Sequence, residues 1–201
     1  MTRRLVAATA NAHKLAEIQA LLDHLDVEVV AMQALGVPSP PEDAETFEGN
    51  ALIKARACHA ATGLPAIADD SGLEVDALGG EPGVRSARYA GEQGDDAANN
   101  AKLVAALRDV PPPRRTARFV SAVAFVAADG TEHVVRGTME GHVVDRPRGG
   151  NGFGYDPYFV GDDGDGRTNA ELSPEEKNAR SHRGAAFRAI VPALAQAFAD
   201  A

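Results

Sequence analysis

Two adjacent carboxylates, Asp69 and Asp70, follow an apolar run and precede Ser71 and Gly72. The apolar run predicts the end of a buried strand, and these four residues predict a turn that stops it. Ligand sites in α/β sheets commonly lie just beyond such strand ends. Because ionised carboxylates are costly to bury or crowd, we expect one to be paired structurally and the other to face a cation. An ordinary capping turn is the alternative interpretation.

A second candidate lies near the N-terminus, where a predicted strand runs into a predicted helix. Backbone N–H groups at a helix start carry partial positive charge and bind phosphate, and Lys14 in the first turn adds a full charge. The alternative is that Asn11 caps the helix and Lys14 pairs with Glu17, three residues on. The predicted phosphate-binding residues are Thr9, Ala10, Asn11, Ala12, His13 and Lys14.

A third candidate combines an amide and an ammonium group on one predicted helix. Asn50 and Lys54 are four residues apart, so both project from one face and would contact a single anion. A solvated face is the alternative. Lysine is scarce in this arginine-rich chain, yet Lys14, Lys54 and Lys177 all fall in candidate segments. A lysine ammonium is a compact point charge suited to phosphate oxygens.

Two further candidate segments lie in the C-terminal half. Phe153 stands between two glycines, which would expose its ring as a surface on which a base stacks. Asp156 would then accept hydrogen bonds from ring N–H groups, although core packing of the aromatic residues is the alternative. Further along, Ser173 and Glu176 predict a capping box. The remaining donors of that segment are Lys177, His182 and Arg183.

The elements that must position these residues alternate between strands and helices. The predicted strands cover residues 5–9, 27–32, 116–127, 131–144 and 157–160, and the predicted helices cover 12–25, 46–62 and 95–108, with two more beginning near Ser173 and Ser181. This order predicts a mixed α/β fold with an elongated twisted sheet and flanking helices. We expect a single domain over residues 1–201 with two lobes around a central cleft.

Composition excludes several classes of protein. A net charge of −9 argues against binding of a nucleic acid polymer, which requires a basic face. The single cysteine, Cys58, excludes an intramolecular disulfide, and its Ala-rich helical setting predicts core packing. The N-terminus lacks the apolar core of a secretory signal, and no apolar run is long enough to span a membrane. A soluble cytoplasmic protein without membrane contact is therefore expected.

Four motifs, ADDSGLEVDALGG, PGVRSARYAG, FGYDP and SHRG, occur in this order within a likeness that runs from Ala7 to Gly184. Together they resemble the noncanonical purine nucleoside triphosphate pyrophosphatases, the inosine triphosphatase-like family. The resemblance implies hydrolysis of dITP, ITP and XTP to the monophosphate and pyrophosphate. It also implies a magnesium cofactor, a homodimer and a cleft between two lobes.

The resemblance also implies residue roles. Asp70 matches the catalytic acceptor and a magnesium ligand, and it would orient or deprotonate the attacking water. Glu42 matches the second magnesium carboxylate, although the loop 38–45 contains three acidic residues and can be aligned differently. Lys14 and Lys54 would stabilise charge on the leaving pyrophosphate. The substrate contacts implied are Ser71 and, for the base, Phe153, Gly154, Tyr155, Asp156, Lys177, His182 and Arg183.

Two other functions remain open at this point. A pyrophosphatase of the same broad fold would act on modified pyrimidine nucleotides. A nucleotide sensor without catalysis would bind the same ligand, but the acidic pair and the lysines argue against it. A DNA-binding role is disfavoured by the acidic balance.

Overall fold

The computed structural model describes residues 3–199, which divide into two compact units. Unit 1 comprises the chain up to Asp70, the segment Ser121–Gly137 and the chain from Arg183 onward. Unit 2 comprises Ser71–Val120 and Thr138–His182. The single two-lobed domain over residues 1–201 stays a prediction.

The strands and helices alternate as expected. The strands are β1 (Arg3–Ala7), β2 (Val27–Ala31), β3 (Ala66–Val75), β4 (Thr116–Val126), β5 (Glu132–Val143) and β6 (Phe159–Gly161). The α-helices are α1 (Ala12–Leu22), α2 (Phe47–Thr62), α3 (Asp96–Ala106), α4 (Pro174–Arg180) and α5 (His182–Ala199). The strands are hydrogen-bonded in the order β2-β1-β3-β4-β5-β6. Because β1 pairs in parallel with β2 and β3 whereas β5 pairs antiparallel with β6, the predicted mixed α/β sheet is confirmed.

Each unit has its own apolar core. In unit 1, helices α1 and α5 pack their apolar faces against β1, β3 and β4. In unit 2, α3 packs against the later residues of β3 and the earlier residues of β4. The fully buried members of the two cores include Leu5, Ile18, Ile67, Phe125 and Ile190 in unit 1, and Leu73, Val75, Leu103 and Phe159 in unit 2. The packing in unit 1 brings the starts of α1 and α5 next to β3.

The turn predicted at residues 69–72 is wrong, because β3 continues through these residues to Val75. Carboxylates are unfavourable inside a buried strand unless cations and hydrogen bonds compensate them. Here the compensating groups come from distant parts of the chain, so the local pattern of turn-forming residues does not decide the backbone. Glycine is needed at position 72 of the strand, because the Cβ atom of any other residue would lie 2.4 Å from the hydroxyl oxygen of Ser86 and clash with it.

A helix that crosses a bilayer needs about 20 consecutive, predominantly apolar residues. The longest of them, α5, covers 18 residues and contains Arg183 and Arg188. Within residues 3–199, no helix combines the length and apolar character needed for a membrane span.

Cys58 lies in the core of unit 1, as predicted. The thiol is fully buried in α2, its sulfur lies 3.9 Å from that of Met32, and burial raises its pKa to about 11. Because the thiolate is the reactive form, we expect no alkylation of native protein by iodoacetamide at pH 8 and rapid alkylation in denaturant. Intact-mass measurement checks this, since the chain has one thiol. Full modification of the native protein would contradict it.

Candidate active site

The two carboxylates of the acidic pair project from opposite faces of β3, because successive side chains of a strand alternate. Asp69 projects towards α1 and α5, whereas Asp70 projects towards α2. Adjacent residues of the same type thus enter two different environments within unit 1.

Asp69 is the structurally paired member. Its carboxylate lies 2.8 Å from Lys14 Nζ and 3.0 Å from a terminal nitrogen of Arg183, and it accepts a hydrogen bond from the hydroxyl of Ser121. The guanidinium of Arg183 also donates to Glu17. Burial opposes ionisation of Asp69, but Arg183, Lys14 and Ser121 together hold its pKa well below the usual range. Asp69 is therefore ionised and enclosed by donors.

Asp70 faces a cation, as expected for the second member. One oxygen lies 2.8 Å from Lys54 Nζ, and the other accepts a long hydrogen bond of 3.4 Å from Asn50 Nδ2. The same Nζ lies 2.8 Å from an oxygen of Glu42. Asn50 and Lys54 do share one face of α2 and meet one anion, which is Asp70. Both are buried, so the solvated-face alternative is wrong.

The loop before α2 brings its first acidic residue into contact with the site. Asn50 Oδ1 accepts a hydrogen bond from the backbone N–H of Ala44, which ties the loop to the helix. Glu42 is half-buried at Lys54, whereas Asp43 and Glu45 are exposed. The geometry thus favours Glu42 among the three carboxylates that the sequence left open.

The electrostatics of this cluster separate its two carboxylates. Burial raises the pKa of Asp70, and the charge of Lys54 offsets this only in part. Burial also acts on Glu42, but there the charge and hydrogen bond of Lys54 outweigh it and lower the pKa. The two carboxylates raise the pKa of Lys54 against the opposing effect of burial. A carboxylate with a raised pKa is suited to accept a proton, and here that group is Asp70.

The same carboxylates are the candidate metal ligands. Within residues 3–199, no group of three or more His, Cys, Asp or Glu side chains is arranged to hold a metal ion. Asp70 and Glu42, however, each place an oxygen 2.8 Å from one ammonium nitrogen, so both can reach a single cation position. Hard oxygen ligands of this kind fit Mg²⁺, which completes its shell with waters and phosphate oxygens.

The N-terminal segment forms the predicted cap at the start of α1. Asn11 Oδ1 accepts hydrogen bonds from the backbone N–H groups of His13 and Lys14, and Thr9 Oγ1 accepts one from Asn11. Three of the backbone N–H groups predicted to bind phosphate, those of Asn11, His13 and Lys14, thus donate hydrogen bonds to side chains of the same segment. Residues 10–13 are exposed, whereas the side chain of Lys14 is largely buried against Asp69.

Unit 2 contains the predicted base contacts Phe153, Gly154, Tyr155 and Asp156, in a loop over residues 152–156 that we name the Phe153 loop. Asp156 is 3% exposed, and its carboxylate accepts hydrogen bonds from the backbone N–H of Phe153 at 2.9 Å and from Lys177 Nζ at 2.7 Å. Asn169 donates to its other oxygen. Lys177 Nζ also lies 4.7 Å from the centroid of the Phe153 ring, within cation–π distance. Asp156 therefore organises the loop, a role that the sequence did not reveal.

The other predicted base contacts have different surroundings. Tyr155 is buried and donates to the carbonyl of Ser86 at 2.7 Å, as the core alternative expects. His182 is buried and stacks on Phe119, with ring centroids 4.8 Å apart. Arg183 belongs to unit 1 and bonds to Asp69 and Glu17 there. Ser71 is half-buried at the first position of unit 2.

Several residues of these clusters were missed by the sequence interpretation. Ser121 had a detectable signal, since it is the one hydroxyl in the apolar run 119–127 and a buried hydroxyl needs a partner. The others lie on helices or loops where polar residues are ordinary, so composition does not distinguish them. They are Asn169, which donates to Asp156, and Asp96 and Asn100, which form hydrogen bonds with the backbone of Gly154.

The chain matches proteins of one family along almost its whole length. The model of the Ham1 family matches residues 5–193. A dITP/XTP pyrophosphatase of Nocardia farcinica is 56% identical over 98% of this chain and 97% of the relative, and one of Mycolicibacterium paratuberculosis is 56% identical over 94% and 95%.

Solved structures agree with the sequence relatives. A HAM1 protein from Coxiella burnetii is 42% identical, with a TM-score of 0.86 over 96% of this chain and 99% of that one. The dITP/XTP pyrophosphatase of Mycobacterium abscessus is 52% identical, with a TM-score of 0.75 over 94% and 99%. The match over residues 5–193, together with these identities, shows that the chain belongs to the Ham1 family.

Proposed function

We propose that this protein hydrolyses dITP, ITP and XTP to the monophosphate and pyrophosphate, and so removes deaminated purines from the nucleotide pool. The observation that carries the proposal is the contact of Asp70 and Glu42 with one buried ammonium group, at 2.8 Å each. Relatives more than half identical over nearly the full chain are dITP/XTP pyrophosphatases, which supports the same activity here.

The proposed cofactor is a divalent metal, specifically Mg²⁺, held by Asp70 and Glu42. When bound, it would neutralise phosphate charge and polarise a phosphoryl oxygen. The fit of two hard carboxylate ligands around one cation position supports this assignment.

In the proposed mechanism, Asp70 orients the attacking water and accepts its proton. The geometry of Asp70 supports this role, because Lys54 holds one of its oxygens at 2.8 Å while the other accepts only a long hydrogen bond of 3.4 Å from Asn50. Lys54 stabilises negative charge that develops on the leaving pyrophosphate. Lys14 adds positive charge at the start of α1, where Asp69 fixes the position of its ammonium group.

Base recognition is assigned to unit 2. The Phe153 ring offers a stacking surface, and donors such as His182 would contact the 6-oxo group of hypoxanthine or xanthine. In ATP an amino group replaces that oxygen, so a desolvated donor would lose its acceptor. This supports discrimination against adenine. The expected homodimer and cytoplasmic location stay predictions, and light scattering with size-exclusion chromatography tests the first.

A nucleotide panel tests the function. With Mg²⁺, purified protein should release pyrophosphate and no orthophosphate from dITP and XTP, with kcat/KM at least about 100-fold above that for dATP. Chelation by EDTA should abolish turnover, and added Mg²⁺ should restore it. Equal turnover of the four standard nucleotides would overturn the proposal, and a preference for modified pyrimidine nucleotides would replace it by the other pyrophosphatase activity.

A further inference from the structure

Helix α3 contributes two side chains that hold the backbone of Gly154 in the Phe153 loop. Asp96 Oδ2 accepts a hydrogen bond of 2.7 Å from the N–H of Gly154, and Asn100 Nδ2 donates one of 2.8 Å to its carbonyl. Asp96 and Asn100 are four residues apart, so they project from the same face of the helix. One helix face thus binds both polar backbone groups of a single loop residue.

These contacts complete the anchoring of the Phe153 ring. On the other side, Asp156 accepts from the backbone N–H of Phe153 and binds Lys177, whose ammonium lies over the ring. Gly154 has a φ of +60°, a conformation that glycine adopts without strain. Glycine leaves the backbone at position 154 with many accessible conformations. The hydrogen bonds to the N–H of Phe153 and to both polar backbone groups of Gly154 restrict them.

Asn100 also shows an imbalance that helix stability does not explain. The residue is nine-tenths buried, and its buried Oδ1 has no hydrogen-bond partner within residues 3–199. Leaving a buried oxygen unsatisfied is unfavourable. The same amide donates to the carbonyls of Asp96 and Gly154 through Nδ2. The hydrogen bond from Asn100 Nδ2 to the carbonyl of Gly154 explains why an amide side chain occupies position 100.

We propose that Asp96 and Asn100 are positioning residues for purine recognition, which act through the Phe153 loop without touching the base. The substrate named in this inference rests on the proposed function, whereas the hydrogen bonds of Asp96 and Asn100 to Gly154 do not depend on that function. Loss of either anchor loosens the ring on which the base stacks. Binding should suffer more than the chemical step, because the proposed proton acceptor and metal ligands belong to unit 1.

Asp95 provides a matched control on the same helix. It is the N-cap of α3, and its carboxylate accepts a hydrogen bond of 2.9 Å from the N–H of Ala98. Asp95→Ala therefore removes one carboxylate and one hydrogen bond from the same helix end but leaves both anchors of Gly154 in place. Any effect that comes only from a weakened helix start should appear in this variant.

Steady-state kinetics test the proposal. In Asp96→Ala and Asn100→Ala, we expect KM for dITP and XTP to rise about tenfold with kcat within about twofold, and discrimination against dATP to fall. Asp95→Ala should lower the melting temperature and leave KM unchanged. In a Phe153→Ala background, Asp96→Ala should raise KM by less than about twofold, because contacts that act as a unit are not additive.

Three outcomes would overturn the proposal: unchanged KM in both anchor variants, an equal rise of KM in Asp95→Ala, or an undiminished effect of Asp96→Ala without the Phe153 ring. Hydrogen exchange of the substrate-free protein gives a second readout. The peptide that covers residues 152–156 should exchange faster in both anchor variants than in wild type or Asp95→Ala. Unaltered exchange would contradict the anchoring even if dITP were not a substrate, whereas inactivity of wild type on dITP would contradict only the proposed function.

Discussion

Replacing Asp70 by asparagine is expected to reduce pyrophosphate release from dITP at least about 100- to 1000-fold, by analogy with the loss of one group that stabilises charge in the transition state. Asparagine has nearly the same shape, but it neither accepts the proton of water nor offers a charged ligand to Mg²⁺. Nucleotide binding should persist, because Lys54 and Lys14 remain and Lys54 loses one of its two competing carboxylates. Single-turnover kinetics and equilibrium binding of dITP measure the two effects separately.

Asp43→Asn is the matched control for this variant. Asp43 is exposed in the loop next to Glu42, so removal of its charge should change kcat by less than about twofold. Turnover by Asp70→Asn above a tenth of the wild-type rate would remove Asp70 from the role of proton acceptor. A wild-type protein that binds dITP without turnover would instead identify a nucleotide sensor.

Replacing Asp69 by asparagine should destabilise the protein by about 3–5 kcal/mol, since it removes a buried carboxylate that Arg183 and Lys14 both contact and so leaves these cations with less counter-charge. Arg183 is 1% exposed and relies on Asp69 and Glu17, and Lys14 also contacts Asp69. Urea denaturation monitored by circular dichroism measures the change in unfolding free energy. Asp109→Asn, which removes an exposed carboxylate, should shift it by no more than about 0.5 kcal/mol.

The same variant should change the pH dependence of stability. The pKa of Asp69 is depressed in the folded protein, so its ionised form stabilises the fold at every pH above its ordinary value of about 3.9. This contribution is lost progressively as the pH falls below that value towards the depressed pKa. Asp69→Asn should lack this acid-dependent component. Equal acid sensitivity of wild type and variant would show that Asp69 does not contribute as described.

Local features were predictable because their determinants are adjacent in sequence. Asn11 caps α1, and Ser173 with Glu176 forms the capping box of α4. Helix α2 was expected at residues 46–62 and is found at Phe47–Thr62. In each case, a side chain satisfies backbone groups within three or four residues, so the short-range pattern contains the necessary information.

The local sequence pattern predicts that Asp69 and Asp70 have different roles, but it does not predict which residue has which role. Because two crowded carboxylates are costly to ionise, one of them is expected to be paired structurally and the other to face a cation. The sequence alone also left Glu42 in doubt among three acidic residues of its loop. Its contact with Lys54, twelve residues away, depends on how the loop folds back on α2.

The amino-acid sequence by itself determined the alternation of strands and helices, the caps, the buried thiol and which residue types carry chemistry. Tertiary structure decided that β3 runs through the acidic pair, that Arg183 bonds to Asp69 114 residues away, and that α3 holds Gly154. The reason is physical: a buried carboxylate inside a strand is stable only when cations and hydroxyls from distant segments surround it. Which segments supply those groups depends on the packing of α1, α2 and α5 around β3, and local propensity does not contain that information.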